Sequence, residues 1–157
     1  MQKALKLLLA NVEDGIGTML VLATFLVVLA GVLFRYVFND SLTWSEEFSR
    51  YALVMMTFVG VATGFRKGVH IRIDAILNLL PQWARAFDVF ALVVSIAFLA
   101  FLVVQAVRLS QVLGSSRSAA MGMPMSWLYI GVAIALVLGL IRAIWALMAQ
   151  IRGVSQP

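Results

Sequence analysis

The segment Ile16-Gly-Thr-Met-Leu-Val-Leu-Ala-Thr-Phe-Leu-Val-Val-Leu-Ala-Gly-Val-Leu-Phe34 contains no ionisable side chain, and it decides the fold. At about 1.5 Å per residue, a helix of this length is just able to cross about 30 Å of hydrocarbon. Three further apolar blocks follow, over residues 48–65, 87–107 and 127–145. The sequence therefore predicts an all-α membrane protein, a single bundle of four transmembrane helices.

The composition excludes a soluble domain. The chain has 157 residues, of which 63% are hydrophobic and 12% are charged, whereas soluble domains are about 45–50% apolar and about 25% charged. The net charge of +5 comes from basic residues scattered between the apolar blocks, so nucleic acid is not a predicted partner. The absence of cysteine excludes disulfides, thiol catalysis and cysteine-bound metals.

Lysine and arginine are divided unequally between the two sides of the membrane. The side that holds both termini carries Lys3, Lys6, Arg66, Lys67, Arg72, Arg85, Arg142 and Arg152. The opposite side carries Arg35, Arg50, Arg108 and Arg117. Because positively charged connections stay preferentially in the cytoplasm, we predict that both termini and the middle connection are cytoplasmic.

The segments outside the spans carry recognisable helix signals. Thr43 and Glu46 fit a capping box, which predicts that the second helix begins there. Asp74 can cap a short amphipathic helix over residues 75–80, in the cytoplasmic middle connection. The leucines within residues 1–15 predict a separate short helix at the membrane surface.

The densest charged cluster lies at the outer edge of the second helix. Glu46 and Glu47 are four and three residues from Arg50, within reach on a helix, and Arg35 can approach both acids across the hairpin. One interpretation is an ion or proton site built on paired carboxylates. The other is an ion-pair cluster that fixes the hairpin, which we favour because nearby arginines stabilise charged carboxylates.

Other candidate sites are weaker. His70 is the only histidine and has only Asp74 close by in sequence, so a structural role is favoured over a metal site. Met121, Met123 and Met125 fit either a thioether metal site or adaptable packing, and we favour packing. No serine lies in a G-x-S-x-G elbow. We therefore predict no catalytic residue, no cofactor and no enzyme activity.

The spans offer little that could bind a substrate. Gln105 is the most polar residue well inside a span, followed by Ser95 and Thr24, and each is predicted to form a hydrogen bond between helices. The spacing of Gly60 and Gly64 is a small-xxx-small pattern that permits close helix packing. An autonomous channel or pump is disfavoured, because transport sites usually need ionisable groups or broken helices near the bilayer centre.

Several short motifs at the span ends occur in a distinctive order. They are Arg35-Tyr-Val-Phe-Asn39, Ser41-Leu-Thr-Trp44-Ser-Glu-Glu47, Arg50-Tyr51, Arg66-Lys-Gly-Val-His70-Ile-Arg-Ile-Asp74, Leu80-Pro81 and Met123-Pro124-Met-Ser-Trp127-Leu-Tyr129. In this order they resemble the small membrane subunit of tripartite ATP-independent periplasmic (TRAP) transporters, the DctQ-like family. The resemblance covers nearly the whole chain.

The resemblance implies a scaffold subunit in the bacterial inner membrane. In such a system a periplasmic substrate-binding protein captures an organic acid, such as a dicarboxylate or sialic acid, and a large membrane subunit performs sodium-coupled transport. The small subunit binds the large subunit, lies among membrane lipids and contacts the binding protein transiently. The motif residues then hold the hairpin and the subunit interface; they are Arg35, Asn39, Trp44, Glu46, Glu47, Arg50, His70, Asp74, Pro124 and Trp127.

Two rival interpretations remain. An autonomous transporter acting as a homodimer of four-helix chains needs an essential acid inside a span, and Glu13 and Asp14 lie just before the first one. An intramembrane hydrolase lacks a plausible nucleophile and base.

Overall fold

The computed structural model describes residues 2–67 and 84–152, with side chains for residues 12–66 and 86–152. It contains the helices α1 (Gln2–Tyr36), α2 (Thr43–Lys67), α3 (Ala84–Val112) and α4 (Met125–Ile151). Within the described residues, the only bridge of the β type is an isolated one between Arg117 and Pro124. The predicted all-α class is therefore confirmed. The predicted helix over 75–80 lies outside the described residues, as do His70 and Asp74.

Each helix contains an apolar stretch long enough to cross a membrane. The four stretches are Val12–Tyr36, Thr43–Arg66, Ala86–Val112 and Met125–Ile151. Each predicted span lies inside one of them, so the prediction of four membrane-spanning helices is confirmed. The helices continue beyond the predicted spans because a helix past the edge of the hydrocarbon still satisfies its own backbone hydrogen bonds.

α1 begins well before the predicted first span. A separate surface helix over residues 1–15 is wrong, because α1 runs without a break over Gln2–Tyr36. Gly15 and Gly17 do not interrupt it, since one glycine costs a helix only about 1 kcal/mol. The continuous helix fixes the direction in which the Glu13 side chain leaves α1.

The four helices form an open row. α1 packs along α2, α2 along α4, and α4 along α3, so the order across the row is α1, α2, α4, α3. α2 and α4 bury the largest shares of their apolar stretches, whereas α1 and α3 stand at the two edges. A closed bundle of four helices would also join α1 to α3. In the part of the chain that the structure describes, these two helices share no packed interface.

The core lies where α3, α4 and α2 meet. Its buried members are Phe65, Leu99, Ala106, Val132, Leu136 and Ala143. Glycine allows α2 and α4 to approach closely, because a Cβ added at Gly139 would lie 3.5 Å from Val61 and 3.8 Å from Ala62. Small residues of this kind favour helix association in lipid by bringing backbones into van der Waals contact.

A second close approach joins α1 to α2 at Gly31. A Cβ at this position would lie 2.7 Å from Ser45 Oγ. Ser45 is buried, and its hydroxyl donates to the Leu42 carbonyl at 2.7 Å, so it does not turn away without losing that bond. Glycine is therefore needed at position 31 for α1 to pack against the start of α2.

Gly60 and Gly64 do not serve the helix packing that their spacing predicted. A Cβ at either position would meet nothing within 4 Å. Together with Gly17, they line an open groove of about 470 Å³ between α1 and α2. Among the described helical glycines, those with close neighbours on another helix are Gly31, Gly131 and Gly139.

The turn between α1 and α2 depends on Asn39. Its φ of 54° lies in the left-handed region, which asparagine tolerates better than most residues. The Asp40 N–H donates to the Phe34 carbonyl at 3.1 Å and closes the end of α1. α2 begins at Thr43 as predicted, but the capping box is wrong. Thr43 is already the first helical residue, and the Glu46 carboxylate turns away to an ion pair.

We predict that Gly31→Ala destabilises the packing of α1 on α2. The added methyl group overlaps Ser45 Oγ, and overpacking of this kind typically costs about 1–3 kcal/mol. The free energy of unfolding, measured by titrating the purified protein in mixed micelles with sodium dodecyl sulfate, should fall by that amount. Gly60→Ala is the matched control and should be neutral or slightly stabilising, because its Cβ meets open space. Equal losses in the two variants would contradict the prediction.

Candidate functional site

A cluster of four charged side chains joins three helices where α1 begins and α4 ends, which we call the termini end. Arg142 on α4 donates to Glu13 Oε1 on α1 through Nε at 3.0 Å and Nη2 at 2.8 Å. Arg66 on α2 has Nε 3.2 Å from Glu13 Oε2, and its Nη2 donates to Asp14 Oδ1 at 2.5 Å. We call these four residues the Glu13 cluster. Its two carboxylates and two guanidinium groups balance in charge.

Two members of the Glu13 cluster are buried although both are charged. Glu13 is 4% exposed and Arg142 is 7% exposed. A buried charge is costly unless it is paired and hydrogen-bonded, and Arg142 supplies both to Glu13. Glu13 Oε2 and Arg66 Nε form no hydrogen bond, so their contact is an ion pair alone. The contact of Glu13 with Arg142, which joins α1 to α4, therefore includes hydrogen bonds that the contact of Glu13 with Arg66, between α1 and α2, lacks.

Arg142 also packs against an aromatic ring. Its guanidinium carbon lies 5.5 Å from the centre of the Trp145 ring on the same helix. This distance is within the range of cation–π attraction. The ring and the Glu13 carboxylate together restrict the guanidinium to one position.

Sequence reasoning missed the pairing of Glu13 with Arg142. It placed Glu13 before the first span and Arg142 near the end of the fourth, and the two are 129 residues apart. A signal was nevertheless present. With four spans, both residues belong to the same side of the membrane, and opposite charges at similar depth in apolar helices tend to pair.

At the opposite end, which we call the hairpin end, Glu47 joins α2 to the loop over residues 113–124. Its Oε2 accepts the backbone N–H groups of Ala120 at 2.9 Å and Met121 at 2.8 Å. Its Oε1 accepts the Tyr51 hydroxyl at 2.5 Å. The carboxylate is buried. A buried charge with three donors is a stable structural anchor.

The 113–124 loop is folded around Ser118. The Ser118 N–H donates to the Met123 carbonyl at 2.9 Å, and the Met123 N–H donates to Ser118 Oγ at 3.2 Å. Gly122 reverses the chain with a φ of 66°, and its carbonyl accepts a bond from Arg117 at 3.1 Å. This compact loop presents the backbone N–H groups that Glu47 binds.

Glu46 and Glu47 have different partners despite being adjacent. Glu46 Oε1 pairs across the turn with Arg35 Nη2 at 2.6 Å, so the predicted approach of Arg35 is confirmed for Glu46 but not for Glu47. The side chains of this pair are 62% and 52% exposed. The predicted pairs with Arg50 do not form among the described residues. Glu46 is directed toward α1 instead, and Glu47 is occupied by Tyr51 and the loop. A paired-carboxylate site is therefore disfavoured.

The remaining motif residues that the structure describes also lie at the hairpin end. Trp44 and Trp127 are exposed there, as expected of indole rings at a membrane interface. Pro124 immediately precedes α4 in an extended conformation, and Asn39 makes the turn after α1. These residues support the two connections and do not converge on a single pocket.

The methionines near the hairpin end pack against other parts of the chain. Met125 Sδ lies 3.3 Å from the Tyr51 hydroxyl oxygen, whereas Met121 is exposed and Met123 is half-buried. The contact of Met125 with α2 favours the packing interpretation. Among residues 2–67 and 84–152, no three His, Cys, Asp or Glu side chains are placed to hold a metal ion.

The polar residues inside the spans do not link helices as predicted. Thr24 donates to the Leu20 carbonyl of its own helix at 2.7 Å. Gln105 and Ser95 form no side-chain hydrogen bond with any described residue. Both are half-buried. The prediction of a bond between helices is therefore wrong for Thr24, and for Gln105 and Ser95 it stays a prediction, with no such bond among the described helices.

We predict that Glu13→Gln strongly destabilises the protein. The change leaves the two arginines of the Glu13 cluster with Asp14 as the remaining acid of that cluster, and breaking a buried pair in this way costs about 3–5 kcal/mol. The loss should appear in the free energy of unfolding measured in mixed micelles. Glu46→Gln is the control: it breaks the exposed pair with Arg35 and should cost less than about 1 kcal/mol. Similar losses in both variants would refute the structural role of the Glu13 cluster.

We predict that Glu47→Gln loosens the 113–124 loop. A glutamine loses the charge that strengthens bonds to Ala120 and Met121, each worth about 1.5–3 kcal/mol when the acceptor is charged. Trypsin should then cleave after the exposed Arg117 faster than in the unmodified protein. Glu46→Gln should leave the cleavage rate unchanged, and an unchanged rate in Glu47→Gln would show that the loop does not depend on this anchor.

Comparison with known proteins identifies relatives of the chain. The family model of the DctQ component of tripartite ATP-independent periplasmic transporters matches residues 24–153. The sialic acid TRAP transporter permease protein SiaT of Haemophilus influenzae is 35% identical over 77 residues, which are 49% of this chain and 12% of that protein.

Two small permease proteins of Vibrio cholerae are also similar. The C4-dicarboxylate protein DctQ is 32% identical over 91 residues, covering 58% of this chain and 38% of the relative. The sialic acid protein SiaQ is 30% identical over 94 residues, covering 60% of this chain and 54% of the relative. The matched segments thus span less than two thirds of each relative. Because the family model covers residues 24–153, which include part of α1 and all of α2, α3 and α4, the chain belongs to the DctQ family of TRAP transporter small permease proteins.

Proposed function

We propose that this chain is a non-catalytic scaffold for the large, sodium-coupled membrane subunit of a TRAP transporter in the bacterial inner membrane. One observation carries the proposal. Between the charged residues at the two ends, residues 16–34, 51–65, 89–107 and 127–141 contain no Asp, Glu, Lys, Arg or His. Transport of an organic acid or a coupling ion needs such groups or broken helices near the bilayer centre, so this work belongs to a partner.

The ion pairs at the termini end support the same proposal over an autonomous exporter. An exporter needs an acid that releases and regains a proton, and Glu13 was the first candidate for that role. Its carboxylate is instead held by Arg142 and Arg66. Asp14 accepts a hydrogen bond from the guanidinium group of Arg66. These contacts favour a structural use of both acids.

The substrate class follows from the relatives. The similar proteins of Vibrio cholerae are named for C4-dicarboxylate and sialic acid, so we propose an organic acid of one of these kinds. With both termini in the cytoplasm, the anchored 113–124 loop faces the periplasm. That orientation presents the loop to the substrate-binding protein, which delivers the acid to the large subunit.

Reconstitution tests the proposal. The chain, a large TRAP membrane subunit from the same organism, and the pair of them are placed in separate proteoliposomes with the substrate-binding protein. Sodium-driven uptake of labelled organic acid should require the pair. Uptake or proton flux by this chain alone, abolished in Glu13→Gln or Asp14→Asn, would instead support the autonomous homodimer.

A further inference from the structure

One edge of the helix row presents an aromatic face. Among the described helices, α3 packs mainly along α4, and its buried residues Leu99 and Ala106 belong to the core that also includes Phe65 of α2. The side of α3 turned away from that core is largely exposed. Side chains spaced three and four residues apart share one side of a helix. On the far side of α3 this spacing selects Phe87, Phe90, Val94, Phe98, Phe101 and Gln105. All but Gln105 are exposed. We call these six residues the α3 face.

Gln105 gives the α3 face a polar group. Its amide forms no hydrogen bond with any described residue. The spanning stretch of α3 has 27 residues. Its last residue, Val112, lies about 10 Å from Gln105 along the helix axis. A helix of that length, centred in a hydrocarbon core of about 30 Å, extends beyond the core by about 5 Å at each end. Gln105 lies further from the helix end than that, so its side chain is within the hydrocarbon. Its amide there requires a partner group.

Arg108 adds a charge to the same edge. It lies one turn beyond Gln105, is exposed and forms no ion pair among the described residues. At about 6 Å from the end of α3, its guanidinium is at the boundary of the hydrocarbon. An Asp or Glu of a neighbouring helix at the same level would complement it.

The opposite edge of the row lacks these features. α1 is also exposed and apolar along its span, with Phe25 62% exposed. Its polar side chains there are Thr18 and Thr24, and both donate to carbonyls of their own helix. Lipid chains satisfy such a surface fully. The α3 face therefore has polar groups that lipid chains cannot bind and a protein neighbour could, whereas the α1 edge has none.

We propose that the α3 face is the surface on which a transmembrane helix of the large TRAP subunit docks. That helix carries a hydrogen-bonding side chain opposite Gln105 and an Asp or Glu opposite Arg108. The inference rests on the proposed function, because it takes the large subunit as the occupant. It goes further by naming the edge of the row that is used and the chemistry of the partner helix.

Photo-crosslinking in membranes that contain both subunits tests the choice of edge. The photoreactive analogue p-benzoylphenylalanine is placed at position 98, 101 or 25, so that one aromatic ring replaces another. Phe98 and Phe101 on the α3 face are 59% and 58% exposed, matching the 62% of Phe25 on α1. Positions 98 and 101 should crosslink to the large subunit in much higher yield than position 25.

Each other outcome is decisive. Equal yields, or a crosslink to the large subunit from position 25 alone, would overturn the α3 face while leaving the proposed function intact. A crosslink from positions 98 and 101 to a second copy of this chain would assign the face to self-association. Co-purification of the large subunit without any protein crosslink from these positions would assign the face to lipid. Failure of the large subunit to co-purify would overturn the proposed function as well.

The polar contact has its own test. Gln105→Leu should weaken the association of the two subunits in lipid nanodiscs by about 3-fold to 30-fold, the range for one hydrogen bond between membrane helices. Fluorescence energy transfer between labelled subunits measures the dissociation constant. Thr24→Val is the matched control on α1 and should leave it unchanged. An unchanged constant for Gln105→Leu would remove Gln105 from the interface.

Discussion

The ion pair between Glu13 and Arg142 is the contact on which the arrangement of the helices depends. Apolar helices in lipid gain little from the hydrophobic effect when they associate, because lipid chains are as apolar as leucine. α1 is almost wholly apolar along its span, so apolar contacts alone would not favour one position of this helix over another in the bilayer. Its buried carboxylate instead requires Arg142 of α4 and Arg66 of α2. The ion pairs thus fix the place of α1 in the row.

α2 carries, at each of its ends, a charged side chain that binds another part of the chain. Glu47 anchors the 113–124 loop, and Arg66 joins the Glu13 cluster. The two residues are separated by about 28 Å along the helix axis, close to the thickness of the hydrocarbon. Between them, α2 contacts α4 through small residues such as Ala62 against Gly139. Polar contacts therefore operate at the two interfaces, and close apolar packing operates between them.

Local signals in the sequence were enough to predict the four helices and the start of α2 at Thr43. They failed where a side chain had one possible partner close in sequence and bound another that is distant in sequence. Glu47 lies three residues from Arg50, yet it binds Tyr51 and the N–H groups of Ala120 and Met121, which only the folded loop brings within reach. The Glu13 cluster was missed for the same reason, because helix packing and not sequence spacing sets which charges meet.

The way the chain uses its polar groups bears on its role. Glu13 and Arg142 at one end, and Glu47 at the other, are each occupied by partners within the chain. A group held by several bonds is poorly suited to bind and release a transported ion, because each cycle would break the contacts that keep the helices together. Gln105 differs from them, since it lies inside the apolar stretch of α3 and forms no hydrogen bond with any described residue. The buried charged groups of this chain are thus paired within it, whereas the amide of Gln105 and the guanidinium group of Arg108 on α3 are the groups that the proposed neighbouring helix would complement.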